Sequence, residues 1–526
     1  MKRTPHLAAA ELSSGGHIRL EGVLTTAAVV LGCTAAWVYH NAGLTLSHYD
    51  AKAHLVVARR VVDSITPGWQ QLGAVWLPLP HLLNLPFVQF DALYRSGASA
   101  VAFSVLSFAL AVFACTRLIL QATGSRLAAI AGALVLLLNP NVLYLQATPM
   151  TEAPLIGLAL LSITLLVDWV GDPTPRRGRA VGWALVAACL TRYEAWPVAA
   201  AALAAGTWAL WREGHSLRDA VHRSSRLALY PAGAVVAFLL HSRITVGAWF
   251  VTSGFYTADN ILDMGKPLRA LSSVWWGVHV LSNYPLLIIG TVGAGIMAVE
   301  GLRSRQRALL LMPLALTASA LLPWYAFFQG HPFRIRYMVP LIAAMAVSAG
   351  TGVGLLGRAR RVSAAILAVL AVAGTRPFDP GAPMVAEAQL DRWNHTGRQV
   401  VTACLKSGYH GEAVMASMGS LAHYMQELSN DGFALRDFLH EGNGDIWLAA
   451  IEYPWPHAGW VMIEEQAEGG DMLAALARTN PHFLDGYERT CEGGGVALYR
   501  RSGIPGVDPA PSALVSARRR PEEQEH

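Results

Sequence analysis

A carboxylate can take a proton from a hydroxyl, and an arginine fork can hold a phosphate through paired hydrogen bonds. Both residue types recur here at a few loop positions between apolar runs. Asp50 follows Ser47, His48 and Tyr49, just past the first long apolar run at residues 22–38. It opens a polar stretch with helical periodicity. Asp50, His54, Val57 and Val61 share one face, and Lys52, Arg59 and Asp63 another. Arg59 and Asp63 are spaced as an i,i+4 pair. Glu152 ends the group Thr148, Pro149, Met150 and Thr151. Thr191, Arg192, Tyr193 and Glu194 form a second group, and Phe255, Tyr256, Thr257, Ala258 and Asp259 a third. His331, Pro332, Phe333, Arg334, Ile335, Arg336 and Tyr337 form the last. Each is weak alone. A single loop acid is usually just solvated, and an Arg192–Glu194 pair could merely close a helix turn. Acids and arginines gathered at a lipid–water boundary, however, suit a substrate with a phosphate head and an apolar tail.

The elements that must gather them are membrane helices. Of the 526 residues, 53% are hydrophobic and only 14% charged, too few charges for a soluble chain of this size. The net charge of +5 is explained by basic loops and does not call for a nucleic-acid partner. Lys2, Arg3 and Arg19 precede the first run and no small-residue cleavage site follows it, so it reads as a retained helix. Basic clusters occur at Arg117/Arg126, Arg176/Arg177/Arg179, Arg212/Arg223/Arg226, Arg303/Arg305/Arg307 and Arg358/Arg360/Arg361. Setting them all on the cytoplasmic side gives about eleven crossings by the positive-inside rule. The N-terminus is then cytoplasmic, everything after residue 376 lies outside, and every polar group above falls on the outer face.

Residues 180–190 and 195–211 are short runs that form a hairpin, with Thr191–Glu194 at its tip inside a cavity. Charges at such a place are a functional-site hypothesis by default. In the outer loop 50–97, the apolar part 76–90 carries Pro78, Pro80 and Pro86 and reads as broken helix lying in the outer interface. Trp69 and Trp76 are its expected anchors. After Thr375 the pattern changes. Strand-like runs at 412–417, 459–464 and 495–500 alternate with helical ones at 420–428 and 471–478. The expected division is a membrane domain 1–375, an α/β domain 376–501 and a disordered tail 502–526. Cys33, Cys115 and Cys189 read as inert core residues, whereas Cys404 and Cys491 could pair in an oxidising compartment. Gly350, Gly352, Gly354 and Gly357 imitate a dinucleotide fingerprint but sit in an apolar run with no preceding strand, so close helix packing is expected. No metal-ligand spacing, nucleophile elbow or phosphate loop is present.

Over residues 20–375 the chain resembles the GT-C fold of polyprenyl-phosphate-sugar-dependent glycosyltransferases. The bacterial members related to protein O-mannosyltransferases and the lipid A aminoarabinose transferase are the most similar. The resemblance rests on His48, Tyr49 and Asp50 in the first outer loop and on the surface helices after them. It rests also on Gln71, Leu72, Gly73, Ala74, Val75, Trp76, Leu77, Pro78, Leu79, Pro80 and His81, on the Thr191–Glu194 tip, and on Arg334, Ile335, Arg336 and Tyr337 entering a late helix. It implies an all-α polytopic membrane domain followed by a small extracytoplasmic α/β domain, in a bacterial inner (plasma) membrane. It also implies inverting transfer of a hexosyl or pentosyl group from a polyprenyl-phosphate sugar to a lipid, glycan or protein hydroxyl. Asp50 matches the family's base and Glu152 its second acid. By residue type, Arg192, Arg334 and Arg336 are the candidates to hold the departing phosphate. His54, Tyr193, Glu194, His331 and Tyr337 complete the expected substrate contacts. Protein O-mannosyltransferases carry paired acids in this loop. Asp50 is followed by Ala51 instead, which argues against a protein acceptor. Some relatives use a divalent metal and others none; without a tight acid cluster, the expectation is a metal-independent enzyme. The rival is a transporter or flippase of a lipid-linked saccharide. It would be built on internal repeats with midplane charges. The sequence has no such repeat, and its charges fall at one face.

Overall fold

A computed structural model describes residues 14–251 and 260–502. Of the expected tail 502–526 all but Ser502 lies outside the described residues, as does the group 255–259.

Up to residue 373 the chain is almost entirely helical, the form that satisfies every backbone group within one segment. Seven described helices are long and apolar enough to cross a membrane: Arg19–Asn41, Ala98–Thr123, Glu152–Gly171, Leu217–Val246, Tyr284–Arg303, Arg305–Phe328 and Ile335–Gly354. The other runs read as crossings form Arg126–Leu137, Pro175–Cys189, Ala195–Glu213 and Arg360–Ala373, which fall short of that length or apolarity. Val339–Gly354 is the centre of the bundle, and every one of its residues is buried. Its glycines permit this. A Cβ on Gly350 would lie 3.1 Å from the Gly132 Cα, and one on Gly352 only 2.5 Å from the Gly293 Cα. The glycine series is thus a packing device, as its apolar setting suggests. Cys115 and Cys189 are buried, but Cys33, expected in the core, is exposed on the bundle surface.

The loop at residues 50–97 departs from expectation. Helix Tyr49–Arg59 forms with His48 as N-cap, Asp50 in its first turn and Arg59 in its last, charges that complement the helix dipole. The helix does not lie along an open surface: Asp50 through Ala58 are all buried. Its reverse face packs on the C-terminal region. Ala53, Leu55, Val56 and Ala58 share one apolar core with Val414, Phe438, Trp460 and Met462. The expected Arg59–Asp63 pair forms at 3.0 Å. The proline-bearing stretch 76–90 is broken as anticipated: Leu79–Asn84 is the helix within it, and the short helix Asp91–Ser96 follows it. Trp69 is 62% exposed. Trp76, however, turns inward, its ring centroid 4.2 Å from that of His54.

Beyond the bundle, helix Pro383–Gly408 leads into a five-stranded sheet. Its strands are β1 (Val414–Ala416), β2 (Phe438–Leu439), β3 (Trp460–Glu464), β4 (Tyr487–Gly493) and β5 (Val496–Arg501), ordered β2-β1-β3-β5-β4. β1 runs parallel to β2 and β3, while β5 is antiparallel to β3 and β4. β3 is buried along its whole length, as a central strand should be. β4 turns into β5 through Gly494 and Gly495, at φ 59° and 85°. A two-residue turn of this kind needs positive φ at both positions.

Cys404 on the long helix is disulfide-bonded to Cys491 on β4, across 87 residues of sequence. Closing a loop of that size stabilises by about 2–5 kcal/mol. Cys404→Ala with Cys491→Ala is therefore expected to lower the unfolding temperature. Non-reducing peptide mapping of the native protein should recover the cross-linked pair, and two free thiols would refute it.

Candidate functional site

Asp50 is buried at the start of its helix and pairs with Arg336. The three residues before Asp50 hold this end of the helix in place. His48 accepts the Asp50 backbone N–H through Nδ1 at 3.2 Å, leaving Nε2 to face the Glu387 carboxylate at 3.3 Å. The Tyr49 N–H donates to Asp391 at 3.2 Å, and the Ser47 hydroxyl donates to the Ala388 carbonyl. Glu387, Ala388 and Asp391 all lie on helix Pro383–Gly408. Burial alone pushes the Asp50 carboxyl up, but Arg336, His48 and His54 together draw it below the usual carboxylate range. Asp50 therefore stays ionised.

Arg336 enters the bundle within Ile335–Gly354 and sits over the rings of Tyr49 and Tyr337, at 5.9 and 5.6 Å. Its Nε is buried with no hydrogen-bond partner. Burial pushes the Glu387 carboxyl up, but His48 first, and then Arg336 and Arg334, hold it below its ordinary value. The His331 ring lies 5.5 Å from that of Tyr337, and its Nδ1 faces the Pro332 carbonyl at 2.9 Å.

A second charged group stands beside the first. Arg192, at the tip between Pro175–Cys189 and Ala195–Glu213, donates to Glu152 at 2.8 Å, to Thr151 at 3.1 Å and to Glu194 at 2.7 Å. Arg192 is half-buried, while both carboxylates are fully buried. Arg192 thus does more than close its own turn: it ties the tip to the start of helix Glu152–Gly171. Its donors are shared between two acids, and the trio carries one net negative charge. The second Glu152 oxygen, Oε2, is buried without a partner. Among the described residues no group of three His, Cys, Asp or Glu side chains could hold a metal ion. Glu152 and Glu194 instead bracket the Arg192 guanidinium.

His54, one turn beyond Asp50, connects the two groups. Its Nδ1 lies 3.0 Å from Nε2 of His81. Burial pushes the His54 imidazole down to about 3; Asp50 pulls it up, while Arg192, Arg336 and His48 push it further down. Burial drives His81 well below its usual value too. This histidine pair is neutral at physiological pH. Tyr193 is turned away, its hydroxyl 3.2 Å from the Val75 carbonyl, and serves to seat the loop at residues 50–97.

The structure therefore brings Asp50, His54, Arg336 and Tyr337 together, and Glu152, Arg192 and Glu194 beside them. The partners that sequence reasoning missed are His81, Glu387 and Asp391. His81 stands in a stretch singled out for its pattern. Glu387 and Asp391 sit on an amphipathic helix with no local signal. A cavity of about 260 Å³ opens elsewhere, between Asn141, Ser282 and Arg376, and holds none of these groups.

No protein-family model matches the chain, and no curated protein matches it. Solved structures do. The ArnT of Cupriavidus metallidurans, bound to undecaprenyl phosphate, aligns over 90% of this chain and 98% of its own, at 14% identity and a TM-score of 0.52. The same protein in its apo state gives 13% identity and a TM-score of 0.51, again over 90% and 98%. The Archaeoglobus fulgidus oligosaccharyltransferase, in complex with Zn and sulfate, aligns over 91% of this chain and 73% of its own, at 12% identity and a TM-score of 0.50. At such low identity the likeness concerns architecture alone, and the architecture is the GT-C fold.

Proposed function

We propose that this protein is an integral-membrane glycosyltransferase. It moves a sugar from a polyprenyl-phosphate donor to an acceptor hydroxyl at the extracytoplasmic face of a bacterial inner membrane. The observation that carries this reading is the buried, ionised Asp50 paired with Arg336, whose Nε remains free, inside a GT-C fold. The undecaprenyl phosphate bound to the Cupriavidus ArnT supports the lipid class of the donor.

In this mechanism the acceptor hydroxyl attacks the anomeric carbon while Asp50 takes its proton. The bond from that carbon to the phosphate oxygen breaks, and its electron pair leaves with the polyprenyl phosphate. Attack opposite the leaving group inverts the anomeric configuration. Arg336 and Arg334 hold the departing phosphate, for which a guanidinium is well shaped. Arg192 is already chelated by two acids, so its part is to fix Glu152 and Glu194. The free Glu152 oxygen accepts a sugar hydroxyl. His54, Tyr337 and His331 line the approach. Asp50 is held by Arg336, and Glu152 and Glu194 both close on Arg192, so the transfer is read as needing no resident metal. Eleven crossings with the N-terminus cytoplasmic would put every one of these groups on the outer side.

The test uses the full-length protein in lipid vesicles with a panel of polyprenyl-phosphate sugars, following loss of the sugar by mass spectrometry. Turnover of at least one donor is expected. Lipid binding without turnover of any donor, in the presence of crude envelope acceptors, would favour the transporter.

A further inference from the structure

We propose that Glu427 is a positioning residue for Asp50 and acts through Lys52. This rests on reading Asp50 as the base. Lys52 lies two residues beyond Asp50, and residues so spaced point to different sides of a helix. One side of helix Tyr49–Arg59 thus presents the carboxylate to the site, while the other is held from behind. Lys52 donates to Glu427, on helix Met418–Leu428, and both side chains are buried.

Glu427 is fixed independently of Lys52. Arg398 donates to it twice, from Nε at 3.0 Å and Nη2 at 2.7 Å, and His395 lies 2.9 Å away. Arg398 and His395 belong to helix Pro383–Gly408, which also holds Ser47, His48 and Tyr49 and is stapled to β4 through Cys404. The neighbouring Gln426 donates to the Tyr94 carbonyl of the outer loop at 3.1 Å. Buried charges persist only when matched, so the Glu427 carboxylate dictates where the Lys52 ammonium can stand.

The rest of the outer loop is held by the same region. Open α/β sheets usually bind ligands at the carboxyl ends of their parallel strands. Here the loop fills that place. Gln71 donates to the Gly442 carbonyl just past β2 at 2.8 Å, and Asn443 donates to Thr66 at 3.0 Å. Asp63 pairs with Arg436 at 3.0 Å. The sheet region is therefore a clamp on the loop that carries the base, and Glu427–Lys52 is its fixed point nearest Asp50.

Lys52→Met in the full-length protein in vesicles tests this. The substitution leaves Glu427 held by Arg398, so the sheet region stays intact. Backbone amides of residues 49–59 are expected to exchange faster, while those of β1 and β3 do not change. Displacing a catalytic group slightly costs about 10–100-fold in kcat. A loss in that range is expected, with the donor KM within about twofold. Lys52→Arg, which keeps the charge link, should recover most of the loss. Unchanged exchange over residues 49–59, or wild-type kcat in Lys52→Met, overturns the proposal. So does a parallel fall in stability that Lys52→Arg fails to rescue. A wild type that turns over no donor defeats glycosyl transfer instead, and the exchange measurement then still decides whether the clamp exists.

Discussion

Asp50→Asn is expected to lower kcat for donor turnover by about 10²–10⁴-fold, the usual worth of a positioned general base. The substitution keeps the shape of the side chain and one carbonyl oxygen for Arg336, but it removes the charge that accepts the proton. Arg336 is buried, and removing the partner of a buried charge typically costs about 3–5 kcal/mol. The amide oxygen should offset part of that cost, so the variant should fold with a lowered unfolding temperature. Polyprenyl-phosphate binding to the variant, measured in vesicles, separates lost chemistry from lost structure. A variant that binds the lipid and turns over donor within about tenfold of wild type would remove Asp50 from the base role.

Much of this site was legible in the sequence because membrane chains confine charge. An acid or arginine between two apolar runs has few places to be, and Asp50, Glu152, Arg192, Glu194 and Arg336 all stood out in this way. Of their pairings only Arg192–Glu194 did. Which loops meet is a property of the bundle, and nothing near Asp50 names Arg336 as its partner. The burial of Tyr49–Arg59 was illegible for a related reason. A helix carrying Lys52 and Arg59 reads as a surface helix. It can be covered because Glu427, far along the chain, neutralises Lys52, and Asp91 joins the local Asp63 in neutralising Arg59. Local patterns fared better. The packing role of Gly350 and Gly352 follows from their apolar setting. β1, β3 and β5 were visible as apolar runs. β4 carries Glu488, Arg489 and Glu492 on a sheet edge, and β2 is two residues long, so neither left a pattern to find.

The clamp changes what the C-terminal region is for. A sheet with parallel strands invites the expectation of a ligand at their carboxyl ends, and an acceptor would be the natural candidate. Residues 64–71 occupy that position instead. On the proposed reading the region acts on the reaction through geometry, and acceptor choice is expected to fall to the groups around Asp50 and Glu152.

Arg336→Met should separate the two duties of that arginine through pH. Asp50 is drawn in opposite directions: burial raises its carboxyl, and Arg336, the strongest opposing influence, leads His48 and His54 in lowering it. Without Arg336, burial prevails and the carboxyl rises; the loss of a close opposite charge is worth about 1–3 pKa units. A base works only when ionised, so the acid limb of the kcat/KM profile should move to higher pH by at least about one unit. Neither His54, held at about 3, nor His81 titrates in this range, so the histidine pair cannot supply the moved limb. The phosphate contact disappears as well, which should lower kcat/KM by about 10²–10³-fold even on the plateau. Stability follows the same sign. In the wild type the lowered Asp50 contributes stability above its unfolded pKa, and that contribution fades as pH falls through the folded value. In the variant the raised carboxyl costs stability at neutral pH, and the cost is relieved on acidification. Unfolding temperatures of Arg336→Met should therefore climb as pH drops towards about 5, against the wild-type trend. A variant with a reduced plateau but an unmoved acid limb would leave Arg336 its phosphate contact and deny it any hold on Asp50.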